Sequence, residues 1–281
     1  DMLIIYEPSF DMFYHVLHYY DITDIIKEKS IILAIEGINE FDFHQTLRYV
    51  VNITNIYSQI KCTPPGYEEL FPDKAMYFWK ELKEALVRER ININTEQFFG
   101  KRYIINCLFN SRFIKNSVRL LDIREDINTD IPAIIVAAGP SVRENIEELR
   151  KAKGKAYIFA VDRILDYLLD SNIEPDFVVT VDPKKPVKYF TRRADVKVPL
   201  LCQFDSNWEV LNQHKGKKII YSSIPYFQKM YLSQEKEPPL LNTGASVATV
   251  AFSACVQLGF KRIALVGQDM AYDGKYSHAG G

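Results

Sequence analysis

The stretch AIIVAAGPSVRENI, Ala133 to Ile146, decides how the rest of the chain is read. The apolar run Ala133 to Ala138 suits a buried strand, and it breaks at Gly139-Pro140-Ser141 into what reads as the first turns of a helix. Gly139 can take a positive φ, Pro140 has no N–H to donate, and Ser141 can cap the helix it opens. Glu144, three residues after Ser141, completes the spacing of a capping box. Such a turn brings free amides and the positive end of a helix dipole to one point, where phosphate or carboxylate is favoured. It lacks the three glycines of the dinucleotide fingerprint and the Gly-Lys-Ser/Thr of a phosphate loop. A strand-to-helix connection without a ligand therefore accounts for it equally well.

The same alternation of short apolar runs and helical segments fills residues 130–281. Strands are predicted at Ala133 to Ala138, Ala156 to Val161, Asp176 to Val181, Val198 to Cys202, Lys218 to Tyr221 and Ile263 to Val266. Helices are predicted near Val142 to Lys151, Arg163 to Leu169, Lys185 to Arg193, Trp208 to Gln213 and Ala245 to Leu258. β-Branched residues without clean apolar/polar alternation suit a mostly parallel sheet covered by helices on both faces. The fold class is α/β, with a Rossmann-like domain at 130–281 and an N-terminal α/β-plus-helical domain at 1–129. That first domain has strands at Leu3 to Tyr6 and Ile31 to Ile35, and helices at Phe10 to His18, Phe43 to Tyr57, Tyr67 to Arg90 and Asn94 to Phe113. Thr63-Pro64-Pro65-Gly66 breaks the chain between them. Tyr77, Trp79, Leu82 and Leu86 give an apolar helix face that reads as core.

Ligands of an open parallel sheet sit beyond the carboxyl ends of its strands, and the polar residues gather there. Asp162 ends the second strand, 23 residues after Gly139, close to the distance at which an acid reaches ribose hydroxyls; it can also cap the helix at Arg163. Asp182 ends the third strand, with Pro183 stopping it. Asn242, Thr243, Gly244 and Ser246 precede an apolar helix whose small residues Ala245, Ala248, Ala251 and Ala254 permit close packing on the sheet. Gly267 and Asp269 end the last strand, followed by Tyr272, Tyr276 and His278. Two phenols and an imidazole suit donation to a departing phosphate and removal of an alcohol proton. The other histidines, His15, His18, His44 and His214, read as structural or solvated. The basic run Lys184, Lys185, Lys188, Arg192 and Arg193 reads as a solvated helix face that could guide an anion.

The balance of 35 basic and 36 acidic side chains leaves a formal charge of -1, so general attraction to nucleic acid or an anionic membrane is excluded as a driving force. Cys62, Cys107, Cys202 and Cys255 lie far apart and read as reduced and buried, in a cytoplasmic protein. No apolar run is long enough to span a bilayer, and no His/Cys cluster or Asp-x-Asp motif suggests a metal. Asp1 at the start and Gly280-Gly281 at the end suggest a piece of a longer protein, truncated on its C-terminal side.

The segments AAGPSV, FAVDRILDYLLDSNIEPDFVVTVDP, NTGASVATVAFSACVQLGFKRIALVGQDMAY and YSHAGG together resemble the motility-associated factor (Maf) family. The resemblance covers residues 131–281 closely and the upstream part loosely. The Gly-Pro-Ser core is shared with a broader group of archaeal hydroxymethylpterin diphosphokinase-like proteins, and is similar to a loop of bacterial sialyltransferases that holds the CMP part of the donor. The resemblance implies a glycosyltransferase with a GT-A-like, sialyltransferase-type fold. It would transfer a nonulosonic (sialic-like) acid from a CMP-sugar donor to Ser or Thr of flagellin, inverting and without a metal or other cofactor. It further implies that Gly139, Pro140 and Ser141 lie at the nucleotide or its phosphate, with Asp162 near the cytidine. Thr243, Gly244 and Ser246 would complete the pocket, and Gly267 and Asp269 would floor it. Tyr272 and Tyr276 would hydrogen-bond the leaving phosphate, with His278 as the candidate base. The alternatives are a diphosphokinase that uses ATP and Mg2+ with Asp162, Asp182 and Asp269 as metal ligands, and a non-catalytic nucleotide-binding module.

Overall fold

The computed structural model describes residues 2–39, 43, 46–47, 50–191, 196–222, 241, 246–270 and 279. The chain divides into two compact units, Asp1–Phe98 and Phe99–Gly281. In the first, β1 (Leu3–Glu7) and β2 (Ile31–Ile35) form a parallel pair with Leu3 opposite Ile31. Between them run α1 (Phe10–Tyr19) and α2 (Thr23–Lys27). The hydroxyl of Ser9 caps α1 by accepting from the Met12 amide. After α3 (Tyr67–Leu70) comes α4 (Pro72–Ile114), a single helix of 43 residues. Ala34, Phe43, Leu47, Val51 and Ala85 form the core of this unit, with Tyr77, Leu82 and Leu86 packed against it.

Three sequence expectations change here. The helix expected to run to Tyr57 gives way to a turn, because the Asn52 side chain accepts from the Thr54 amide and the Asn55 side chain donates to the Val50 carbonyl, competing with helical bonds. The two helices expected on either side of residue 92 are one, because Asn92 and Asn94 stand exposed and leave the backbone ladder intact. Cys62 is exposed, while Cys107, Cys202 and Cys255 are buried and all four are free thiols. Cys62 lies in irregular chain before the Thr63-Pro64-Pro65-Gly66 break.

The second unit begins at Phe99, so the last turns of α4 pack with the sheet rather than dividing from it at 129/130. The 3-10 segment Leu120–Asp126 follows, and contacts both β7 (Lys218–Tyr221) and the last helix. The sheet has the order β7-β6-β5-β4-β3-β8, every pair parallel. Its remaining strands are β3 (Ala133–Val136), β4 (Tyr157–Val161), β5 (Phe177–Thr180), β6 (Leu200–Gln203) and β8 (Ile263–Val266). The connecting helices are α5 (Val142–Ala152), α6 (Leu165–Asp170), α7 (Lys188–Thr191), α8 (Trp208–Gln213) and α9 (Val247–Leu258). All four residues of β5 are buried, as expected of a strand covered on both faces.

One face of the sheet, with Phe159, Val179 and Leu201, packs with Ala251, Ala254 and Leu258 of α9. The other, with Val178, Leu200 and Cys202, packs with Leu165, Val210 and Leu211. Small residues let α9 lie across β3, β4 and β5 at once. Its end is set by Gly259 at φ 95°, in the left-handed region where a Cβ is disfavoured. His214 is buried and its Nε2 bonds the Val198 carbonyl at 2.7 Å, the structural role expected of it.

Ala251 is fully buried, whereas its neighbour Phe252 is 43% exposed on the opposite side of α9. Ala251→Leu should overpack the helix-sheet contact and lower unfolding free energy by about 1–3 kcal/mol. Phe252→Ser should shift it by roughly 0.5 kcal/mol or less. Urea unfolding of both variants measures the contrast, and equal effects would show that this face of α9 is not tightly packed.

Candidate functional site

Strands β3 to β7 are added in one direction across the sheet, and then α9 carries the chain back to place β8 on the other side of β3. The order reverses between β3 and β8, and the crevice at the carboxyl ends of that strand pair is where open α/β sheets hold ligands. Both strands end there in glycine. The Ala137 amide donates to the Val266 carbonyl and the Gly139 amide to the Gly267 carbonyl, at 2.8 and 2.9 Å. A Cβ on Gly139 would stand 2.3 Å from Asp269 Oδ2, and one on Gly267, already at φ +74°, would stand 2.4 Å from Val142. The two turns can approach only because both residues lack side chains.

The approach brings Asp269 to Ser141. Its Oδ2 accepts from the Ser141 amide at 2.8 Å and its Oδ1 accepts from the Ser141 hydroxyl. Met270, next in the chain, is held at φ 47°, an uncommon conformation for a residue with a long side chain. The free amides expected at the start of α5 are therefore not free. Asp269 takes that of Ser141, and those of Val142, Arg143 and Glu144 bond the carbonyls of Gly139, Pro140 and Ser141. The capping box does not form either, since Ser141 is itself in the helical region and makes no side-chain cap. The Ser141 hydroxyl instead donates to the Asp269 carboxylate, a charge-assisted bond. Beyond Asp269 the chain is fixed to the same turn once more, by the Ala279 amide on the Ala138 carbonyl and by Arg143 Nε on the Ala279 carbonyl.

Asp162 ends β4 in a different setting. It is 2% exposed, accepts from the Thr180 hydroxyl at 2.9 Å and pairs with Lys185 at 2.7 Å. Burial is the largest influence on its carboxyl and pushes it upward; the Lys185 ammonium, the Thr180 hydroxyl and the Arg163 amide work against that. Both carboxylate oxygens are held within the protein, one by Lys185 and the other by Thr180. Asp182 shapes a turn: its Oδ1 accepts from the Lys184 amide and its carbonyl from the Asn207 amide. Ser246 caps α9 by accepting from the Thr249 amide. Asn242, Thr243, Gly244, Tyr272, Tyr276 and His278, with Arg192 and Arg193, lie outside the described residues. Among the described residues, the structure brings together Gly139, Pro140, Ser141, Gly267 and Asp269, and separately gathers Asp162 with Lys185.

Sequence reading missed the support from α4. Asn106 donates to the carbonyls of Pro183 and Asp205, and Asn110 to those of Phe204 and Ser206. Arg102 donates to the Pro183 carbonyl and to Asn207 Oδ1. The spacing of 102, 106 and 110 puts these polar groups on one helix face; the signal was present in the sequence but hidden in an otherwise aromatic helix. Asp205 was also missed. It is 3% exposed, and Oδ1 has no partner while Oδ2 accepts from Gln203 at 3.3 Å.

Burial pushes the Asp205 carboxyl up to about 6 from an ordinary 3.8. Between those values the folded protein keeps a proton that the unfolded chain has lost, so this group lowers stability as pH rises through the window. The unfolding free energy of Asp205→Asn relative to the unsubstituted chain should grow by about 2–3 kcal/mol from pH 4 to pH 7. Urea unfolding at the two pH values checks this, and a difference independent of pH would contradict it.

A family model described as 6-hydroxymethylpterin diphosphokinase MptE-like matches residues 105–275, more than half of the chain. An uncharacterized protein of Treponema pallidum (strain Nichols) is 29% identical over 118 residues, which are 42% of this chain and 55% of that protein. Among solved structures, the Maf glycosyltransferase from Magnetospirillum magneticum AMB-1 superposes with a TM-score of 0.60 at 18% identity, over 97% of this chain and 43% of that one. The chain thus spans about half the length of the relatives it matches. The last likeness is one of fold, and it bears out the α/β, Rossmann-like class. With the family model lying over the sheet, the Gly139 turn and the β8 end, the chain belongs to the 6-hydroxymethylpterin diphosphokinase MptE-like family.

Proposed function

We propose that the chain is the donor-binding and catalytic part of a sugar transferase. It moves a nonulosonic acid from a CMP-activated donor to a Ser or Thr hydroxyl of flagellin, with inversion and without a metal. The acceptor oxygen forms a bond to the anomeric carbon as the bond from that carbon to the phosphate oxygen breaks. The electron pair leaves on the CMP phosphate and the acceptor proton passes to His278. Tyr272 and Tyr276 donate to the phosphate, where negative charge grows in the transition state. Gly139, Pro140 and Ser141 form one wall of the nucleotide site, and Asp269 keeps Ser141 in place. Asn242, Thr243, Gly244 and Ser246 would complete the pocket, as the family resemblance implies.

The observation that carries this reading over Mg-ATP chemistry is the condition of the three carboxylates that a metal would need. Asp162 is buried against Lys185 and Thr180, Asp182 is committed to its own turn, and Asp269 is bonded to Ser141. Asp162 and Asp269 have both oxygens engaged by protein donors, and Asp182 gives one of its two to the turn. The fold likeness to a Maf glycosyltransferase extends through the first unit, outside residues 105–275, which further favours a transferase of that architecture. The description of the family favours the second reading, an ATP-dependent diphosphokinase.

Calorimetry separates the two. Titration with CMP in the presence of a chelator should give saturable binding at least tenfold tighter than that of ATP with Mg2+. Binding of Mg-ATP alone would sink the sugar-transfer reading in favour of the diphosphokinase, and binding of neither would remove both.

A further inference from the structure

The closure of the α5 end by Asp269 leaves an anionic ligand without its expected positive partner. Another lies on the same strand edge. Arg163 follows β4, and Lys185 and Lys188 follow β5; all three gather round the ring of Tyr189, at 5.3, 5.6 and 5.5 Å from its centroid. Arg163 also donates to the Tyr189 hydroxyl at 3.1 Å. Like charges repel, so three cations around one phenol raise the local potential in a chain whose formal charge is -1. Asp162 answers one of them, using a single ammonium donor of Lys185 where an ammonium has three.

The cluster is built rather than incidental. Asp182 forms the turn that carries Lys185, through bonds from the Lys184 and Lys185 amides. Asn207 Nδ2 donates to the Lys185 carbonyl at 2.8 Å, and Asn207 is itself held by Arg102 from α4. The Lys185 side chain is 14% exposed, so it is largely desolvated without being sealed from solvent. Strand β5 lies two strand spacings from β3, roughly 10 Å. A nucleotide seated at the β3–β8 crevice can therefore reach the cluster with a charged group.

We propose that Arg163, Lys185 and Lys188 form the phosphate-binding pole of the site and take a phosphate or diphosphate group of the ligand. The inference rests on the nucleotide-transferase reading for the identity of the ligand, but not for the anion itself. The common chemistry is a phosphate ester or anhydride, whether from CMP or from ATP.

Inorganic pyrophosphate is the direct probe, titrated by calorimetry beside CMP and Mg-ATP. Pyrophosphate should bind the unsubstituted chain and weaken as salt rises. Arg163→Gln and Lys188→Gln should each weaken it by about tenfold or more, the worth of a charge-assisted hydrogen bond. Lys185→Gln alone strands a buried Asp162 and can unfold the chain. The paired change Asp162→Asn with Lys185→Gln removes both charges, and circular dichroism reports whether it is folded; it should show the same loss, and Lys185→Arg should retain most of the binding. Pyrophosphate binding that these changes leave intact overturns the inference, as does no binding at all. Nucleotide binding that survives all of them overturns it while leaving the transferase reading in place. Pyrophosphate binding through Lys185 with no nucleotide binding supports the inference and defeats that reading.

Discussion

One carboxylate holds the carboxyl edge of the sheet together. Asp269 arrives from the end of β8 and bonds both the amide and the hydroxyl of Ser141 at the head of α5. The contact is possible only because Gly139 and Gly267 let two backbone turns meet. It lies at the point where the strand order reverses, so it also joins the last strand of the unit to the first. A residue with any side chain at either glycine would push these elements apart. The exact place where a parallel sheet offers a ligand crevice is therefore the place where the backbone tolerates least change.

The same contact redistributes charge along the edge. A helix start normally offers amides to an anion, but here the protein supplies the anion itself. Positive charge then comes from side chains two strands away, where the turn after β5 is pinned by Asn207, Arg102 and Asn106. Buried Asp162 anchors Lys185 from below. The long helix α4, which looks from its aromatic residues like core alone, is part of that scaffold through Arg102, Asn106 and Asn110.

Much of this was legible in the sequence, and the omissions have physical causes. The strands of the sheet were legible as short, β-branched apolar runs bounded by polar or turn-forming residues; those at Lys218 to Tyr221 and Ile263 to Val266 match the structure residue for residue. The meeting of Ser141 with Asp269 was not legible, because 128 residues separate them and only the topology brings them together. Capping-box spacing at Ser141 and Glu144 was present and misled, since local spacing gives no warning that Ser141 takes the helical conformation and that its hydroxyl bonds a carboxylate from another strand. Lys185 was visible only as one member of a basic run. What distinguishes it is Asp162, and that pairing depends on β4 and β5 being neighbours.

A crystal structure of the chain with CMP bound should show the nucleotide along the carboxyl edge of the sheet, its phosphate towards Arg163 and Lys185, with Asp269 still bonded to Ser141. A phosphate seated on the amides of residues 141–143 with Asp269 displaced, or a nucleotide away from that edge, would contradict this arrangement.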